Sequence, residues 1–126
     1  MGDRGNIVIR SQSDGDIWLY THWGGETLHD DLHAALSRDA RWDDPSYLAR
    51  IVFCSMLHGD TDGTTGHGIS SRKTDNGHEI LVVDTDAQEV QVYPQDYSGG
   101  DGEPISRISF RDYVGAPVVQ AGPVVS

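Results

Sequence analysis

An α+β fold is predicted for these 126 residues: an antiparallel sheet of about five strands in the order ββ-αα-βββ, with two helices packed on one face. The prediction rests on short strand-like runs near both ends of the chain, helical apolar spacing in its middle, and the absence of any compositional break that would mark a linker.

Residues 6–10 and 16–22 are apolar-rich runs separated by Ser13-Asp14-Gly15-Asp16, whose turn chemistry closes a hairpin. Alternation across a strand puts Ile17, Leu19 and Thr21 on one face and Trp18, Tyr20 and His22 on the other, so both faces are expected to be covered. Thr27 with Asp30 three positions on is a variant of the capping box. Leu28, Leu32, Ala35 and Leu36 follow at helical spacing, predicting a first helix over about 27–38. In the connection Arg41-Trp42-Asp43-Asp44-Pro45, Asp44 suits a cap and Pro45 the first helical position. The second helix is apolar on nearly all sides from Tyr47 through Leu57 and meets its stop at His58-Gly59.

The segment 59–68, rich in Gly, Asp and Thr, is a loop, after which 69–74, 79–84 and 89–93 read as strands. Asp75-Asn76-Gly77 is a strong hairpin signal, because Asn-Gly tolerates the positive φ angles of a type I′ turn, and Asp84-Thr85-Asp86-Ala87 supplies the next turn. Ser98-Gly99-Gly100-Asp101-Gly102 is a flexible break, and 109–114 forms one capped helical turn. The expected organisation is one domain over 1–114 with a flexible tail over 115–126.

A formal net charge of −11 argues against a broad basic face for tracking a nucleic-acid backbone, whose affinity comes from Lys and Arg neutralising phosphates. Cys54 is the single cysteine, so no intramolecular disulfide or Cys-based zinc site forms, and its apolar helical setting predicts a buried structural thiol. No apolar stretch approaches the ~20 residues that cross a bilayer, and the N-terminus lacks the basic and apolar regions of a signal peptide; a cytoplasmic protein without a membrane partner is expected.

Among residues that carry chemistry, His29 and His33 lie four apart on one helical face and resemble the H-E-x-x-H pairing of zinc hydrolases. Asp30 replaces the Glu, however, and its shorter side chain would hold a general base back from a metal-bound water. Asp60-Thr61-Asp62-Gly63 lacks the later ligands of a calcium loop and reads as a solvated turn. Gly63-Thr64-Thr65-Gly66-His67-Gly68 can expose backbone N–H groups to an anion, with Arg72 and Lys73 beyond it, but it has no Walker lysine. The aromatic run ending in Tyr20, His22 and Trp23, followed by Gly24 and Gly25, has the chemistry of a recognition loop or of a subunit interface.

The segments Leu19-Tyr20-Thr21-His22-Trp23-Gly24-Gly25, Arg41-Trp42-Asp43-Asp44, Tyr47-Leu48-Ala49-Arg50 and Gly66-His67-Gly68-Ile69-Ser70 resemble a family of small uncharacterised proteins of actinobacteria and their phages. The resemblance extends to about Val83 and brings with it no assigned activity. It implies a context in which small acidic phage proteins act against host defence. The function expected is therefore a non-catalytic counter-defence protein that sequesters a nucleotide-like ligand, without a cofactor, between the 22–25 turn and the 66–70 loop. Trp23 or Trp42 would stack on the ligand, and Arg41, Arg72 or Lys73 would pair a phosphate. Two alternatives stand beside it: an acidic protein-protein inhibitor that imitates nucleic acid on a host defence enzyme, and a metal-dependent hydrolase using His29 and His33. A homo-oligomer is compatible with each.

Overall fold

A computed structural model describes residues 3–13, 15–100 and 102–115, and strand β1 (Gly5–Ser11) organises it. Ile7, Val8 and Ile9 are all fully buried, so β1 needs strand partners on both edges and cover on both faces. β2 (Gly15–Thr21) takes one edge as the antiparallel arm of the expected hairpin, with Ile7 opposite Leu19 and Val8 opposite Trp18. The other edge is taken by β4 (Ile80–Asp84), which runs parallel, pairing Ile7 with Leu81 and Ile9 with Val83. β3 (His67–Ser70) adds antiparallel to β2, while β5 (Glu89–Tyr93) and β6 (Ser106–Ser109) continue antiparallel from β4. The result is one mixed six-stranded sheet in the order β3-β2-β1-β4-β5-β6.

Two expectations are corrected here. The sheet is mixed rather than antiparallel, and Asp75-Asn76-Gly77 does not close a hairpin, because β3 and β4 are separated by β2 and β1. Three inter-strand spacings amount to about 14 Å, which a two-residue turn cannot span. The 75–77 segment instead holds the start of β1: the Asn6 side-chain amide donates to the Asp75 carbonyl at 3.0 Å, and Gly77 N–H donates to the Arg4 carbonyl at 2.8 Å. Strand β6 was not expected, since in Ser106-Arg107-Ile108-Ser109 one apolar residue pairs with Val90, too little alternation to read from sequence; the capped helical turn expected over 109–114 is present as Phe110–Gly115, with the Ser109 hydroxyl accepting from Asp112 N–H at 3.1 Å.

The helices form the layer on one face. A short 3-10 turn, Gly25–Thr27, precedes α1 (Leu28–Leu36), and α2 (Pro45–Leu57) returns alongside it. Asp44 caps α2 as expected, its carboxylate accepting from Tyr47 N–H at 3.2 Å, and His58 ends the helix in the left-handed region at φ 50°. Thr27 stands at the start of α1 but does not cap it; its hydroxyl bonds the Gly24 carbonyl and the Asp31 carboxylate. Cys54 is exposed, contrary to the buried thiol expected, because the buried side of α2 is set by Leu48, Ala49, Ile51, Val52 and Met56.

Ile7, Ile9, Leu19, Leu81, Val83 and Val90 meet the helices, together with Phe110 from a third helix, α3 (Phe110–Gly115). The opposite face has its own smaller core of Val8, Trp18, Ile80, Val82, Tyr93 and Tyr97. Tyr97 arrives on the β5–β6 connection and stacks on Tyr93 at 4.0 Å between ring centroids. Beside it Arg10 makes two 2.9 Å bonds to Asp16 and one of 2.5 Å to the Tyr97 hydroxyl, which seal the rim of this core. Of the expected turns, Asp14 and Asp101 lie outside the described residues, as does the tail from residue 116.

The second core makes an asymmetric prediction about stability. Trp18→Ala is expected to lower the unfolding free energy in urea titrations by about 3–5 kcal/mol. Ile69→Ala, on an exposed edge position, should shift it by less than about 1 kcal/mol.

Candidate functional site

The 22–25 turn and the 66–70 segment, which is strand β3 from His67 onward rather than a loop to residue 68, are distant in sequence and meet at the sheet edge formed by β2 and β3. His22 N–H donates to the Gly66 carbonyl at 2.7 Å, continuing the β2–β3 ladder by one bond. Trp23 then lies on Gly66, whose φ of +98° and close approach to the indole both exclude a side chain. The Trp23 ring also meets His22 and His67 edge-on, yet remains 55% exposed. Gly24 N–H is held by the Thr21 hydroxyl at 3.0 Å, and Gly25 packs under His78, where a Cβ would collide with the imidazole. His78 in turn bonds the Asp3 carboxylate, whose second oxygen accepts from Glu26 N–H at 2.9 Å. This bonding to His78 holds the Asp3 carboxyl below its ordinary range.

Ten of the expected site residues thus surround one sheet edge, but β3 divides them between two faces. On the helix side, Trp23, Gly24 and His67 line a groove of about 380 Å³ with Thr27, Met56, Leu57, His58 and Asp60. On the far side, Tyr20, Gly68, Arg72 and Lys73 line a cleft of about 480 Å³ with Ile69, Ser70, Thr74 and Asp75. The Tyr20 hydroxyl bonds His22 Nδ1 at 3.0 Å. Its pKa is raised by burial and by nearby Asp75, with Arg4 opposing. Directly across from Tyr20 stands Gly68, and a Cβ there would meet nothing within 4 Å. The tyrosine therefore has open space beside it where a cross-strand side chain would normally sit. Asp75, on the rim, is paired to Arg4 at 3.9 Å. Among the described residues, Arg72 and Lys73 have no ion-pair partner.

Arg41 and Trp42 belong elsewhere. They occupy the α1–α2 connection, at the end of the helical hairpin away from Trp23; the nine residues of α1 alone separate the two ends by about 13 Å. Trp42 donates its indole N–H to the Leu36 carbonyl at 3.2 Å and meets Phe110 edge-on, while Arg111 covers its other side. Arg41 sits over the Tyr47 ring, 4.6 Å from its centroid. Both therefore pack at the helix connection, so neither the stacking nor the phosphate contact expected of them falls at the β3 edge.

One feature of the groove has no counterpart in the sequence reading. Asp31, buried in the first turn of α1, accepts from His58 Nε2 at 2.8 Å and from the Thr27 hydroxyl at 3.2 Å. Burial pushes its carboxyl pKa up despite those partners. The residues were visible as a helix-start acid and a helix-stop histidine; only the antiparallel return of α2 brings them together.

His29 and His33 flank Tyr113 of α3. The Tyr113 hydroxyl donates to the His29 carbonyl at 3.2 Å and lies 3.3 Å from His29 Nδ1, and the His33 ring is 5.7 Å from the tyrosine ring. Among the described residues no three His, Cys, Asp or Glu side chains are grouped to hold a metal ion. Burial lowers the His29 pKa below its ordinary 6.5, with Glu79 and Asp30 opposing. As pH falls the unfolded chain takes up this proton first, so the contribution of neutral His29, complete above pH 6.5, is lost as the pH drops toward the folded value. Urea midpoints measured at pH 7.5 and 5.5 are expected to fall less for His29→Gln than for the unmodified protein.

No family model, curated protein or solved structure matches this chain.

Proposed function

We propose that the chain is a non-catalytic binding protein for a small, anionic, ring-bearing ligand of the nucleotide type, held in the far-side cleft along β2 and β3. The observation that carries this reading is the pairing of open space at Gly68, beside the Tyr20 ring, with two cations, Arg72 and Lys73, that have no ion-pair partner among the described residues. A planar base fits against Tyr20 over the bare backbone of Gly68, since a glycine lets a ligand approach the main chain closely. Arg72 and Lys73 then reach a phosphate through charge-assisted hydrogen bonds. The cleft volume of about 480 Å³ is within the range of small-molecule sites.

This reading retains Tyr20, Gly68, Arg72 and Lys73 from the sequence expectation and assigns Trp23 to support of the Gly66 turn. In the phage context that the resemblance implies, binding of this kind would withdraw a nucleotide signal from a host defence system.

Titration calorimetry against mononucleotides, cyclic nucleotides and dinucleotides tests the proposal. At least one is expected to bind with micromolar affinity, and Arg72→Ala and Lys73→Ala should each weaken that binding about 10–100-fold, the range for losing one charged hydrogen bond. Absence of heat with every ligand, at protein concentrations that reveal micromolar binding, overturns it.

A further inference from the structure

The far-side cleft has a second wall, opposite β3, and that wall carries a carboxylate. Tyr20 lies between two cross-strand neighbours, Gly68 of β3 on one side and Asn6 of β1 on the other. Asn6 is fully buried, and its side-chain amide donates to the Asp75 carbonyl at 3.0 Å and to the Asn76 side chain at 3.2 Å. Gly77 N–H fastens the same segment to the Arg4 carbonyl. Asp75 is thereby held on the β1 side of Tyr20, across the cleft from Gly68. Its side chain is 71% exposed, and its ion-pair partner Arg4 stands 3.9 Å away, beyond hydrogen-bonding distance. Arg72 and Lys73 lie on the segment that crosses from β3 to Asp75. A phosphate is drawn to these cations and repelled by the carboxylate, so a nucleotide in the cleft turns its base toward Asp75.

We infer that Asp75 reads the edge of that base and selects guanine, an inference that rests on the nucleotide reading of this cleft. An ionised carboxylate only accepts hydrogen bonds. The Watson–Crick edge of guanine offers two adjacent donors, N1–H and the 2-amino group, which match the two carboxylate oxygens. Adenine and cytosine each place an acceptor nitrogen beside their amino group, and uracil flanks a single N–H with two carbonyls. Each of these would turn a lone pair toward Asp75 and leave it unpaired. Stacking on Tyr20 does not discriminate, because every base has a π face, so selection falls to the carboxylate. Its two bonds to guanine are charge-assisted, and the backbone beneath it is already fixed by Asn6 and Gly77, which limits the ordering that binding requires.

Calorimetry with the guanine and adenine members of each nucleotide class, mononucleotide, cyclic nucleotide and dinucleotide, tests the inference. The guanine member is expected to bind about 10–100-fold more tightly than its adenine counterpart, the discrimination of one bidentate pair. The inosine member, which keeps N1–H and lacks the 2-amino group, should fall between them. Asp75→Asn replaces two acceptors by one acceptor and one donor, so it should lose the guanine preference while adenine binding holds or tightens, with unchanged far-ultraviolet circular dichroism. Should that variant misfold, the order guanine, inosine, adenine on the unmodified protein decides alone. Adenine nucleotides that bind as tightly as guanine ones overturn the inference, as does a guanine preference that survives Asp75→Asn; both results leave the cleft a nucleotide site. Absence of heat with every nucleotide overturns the binding reading itself, and this inference with it.

Discussion

Burial of β1 on both faces is the constraint on which the rest of this structure depends. Ile7, Val8 and Ile9 are each sealed from solvent, and consecutive residues point to opposite faces, so two separate apolar layers are required. The helices supply one. The other is supplied by Trp18, Tyr93 and Tyr97, and the last of these is available only because the connection between β5 and β6 folds back across the sheet. With both faces closed, the backbone of β1 has no water to bond and must be satisfied by strands on each edge. The hairpin gives β2, and the remaining edge recruits β4 in the parallel sense, the arrangement that tolerates full burial.

The candidate site is a consequence of that arrangement. Since β1 takes β4, strand β3 is left to extend the sheet from β2, at an edge beyond the centre of the helical layer. Glycine at positions 66 and 68 then does two different things. At Gly66 the backbone adopts a left-handed conformation and accepts the Trp23 ring, which fixes the turn to the loop. At Gly68 the missing side chain opens a space beside Tyr20. A short edge strand therefore has a groove on one face and a cleft on the other, with an aromatic ring lining each.

Electrostatics separates the body of the protein from this edge. Arg10 is clasped by Asp16 and Tyr97, Arg41 lies on Tyr47, and Arg111 on Trp42, so these guanidinium groups serve packing and rim closure. Arg72 and Lys73 are not used in this way. In a chain with a net charge of −11, these two adjacent cations, without an ion-pair partner among the described residues, line the far-side cleft. The histidines divide likewise: His78 ties down Asp3, His58 covers the buried Asp31, and His29 and His33 hold Tyr113, each satisfying a neighbour within the fold.

Local patterns in the sequence determined the elements themselves: the 6–22 hairpin with Trp18 and Leu19 on opposite faces, the Asp44-Pro45 start and His58-Gly59 stop of the second helix, and the strand over 89–93. These depend on neighbouring residues, through alternation, capping and backbone preference. The nearness of the 22–25 turn to the 66–70 segment was also expected, from the aromatic chemistry of the first and the anion-binding, glycine-rich chemistry of the second. Pairing was decided only by the tertiary structure. The turn preference of Asn76-Gly77 yielded to competition for the edges of β1 and β2, because strand partners are selected by total burial and not by the residues between them. The same competition sent Arg41 and Trp42 to the opposite end of the helices, split the site residues between two faces of β3, and joined Asp31 to His58. A sequence records which residues can form a strand or carry a charge; which of them become neighbours depends on where the whole chain finds cover for its core.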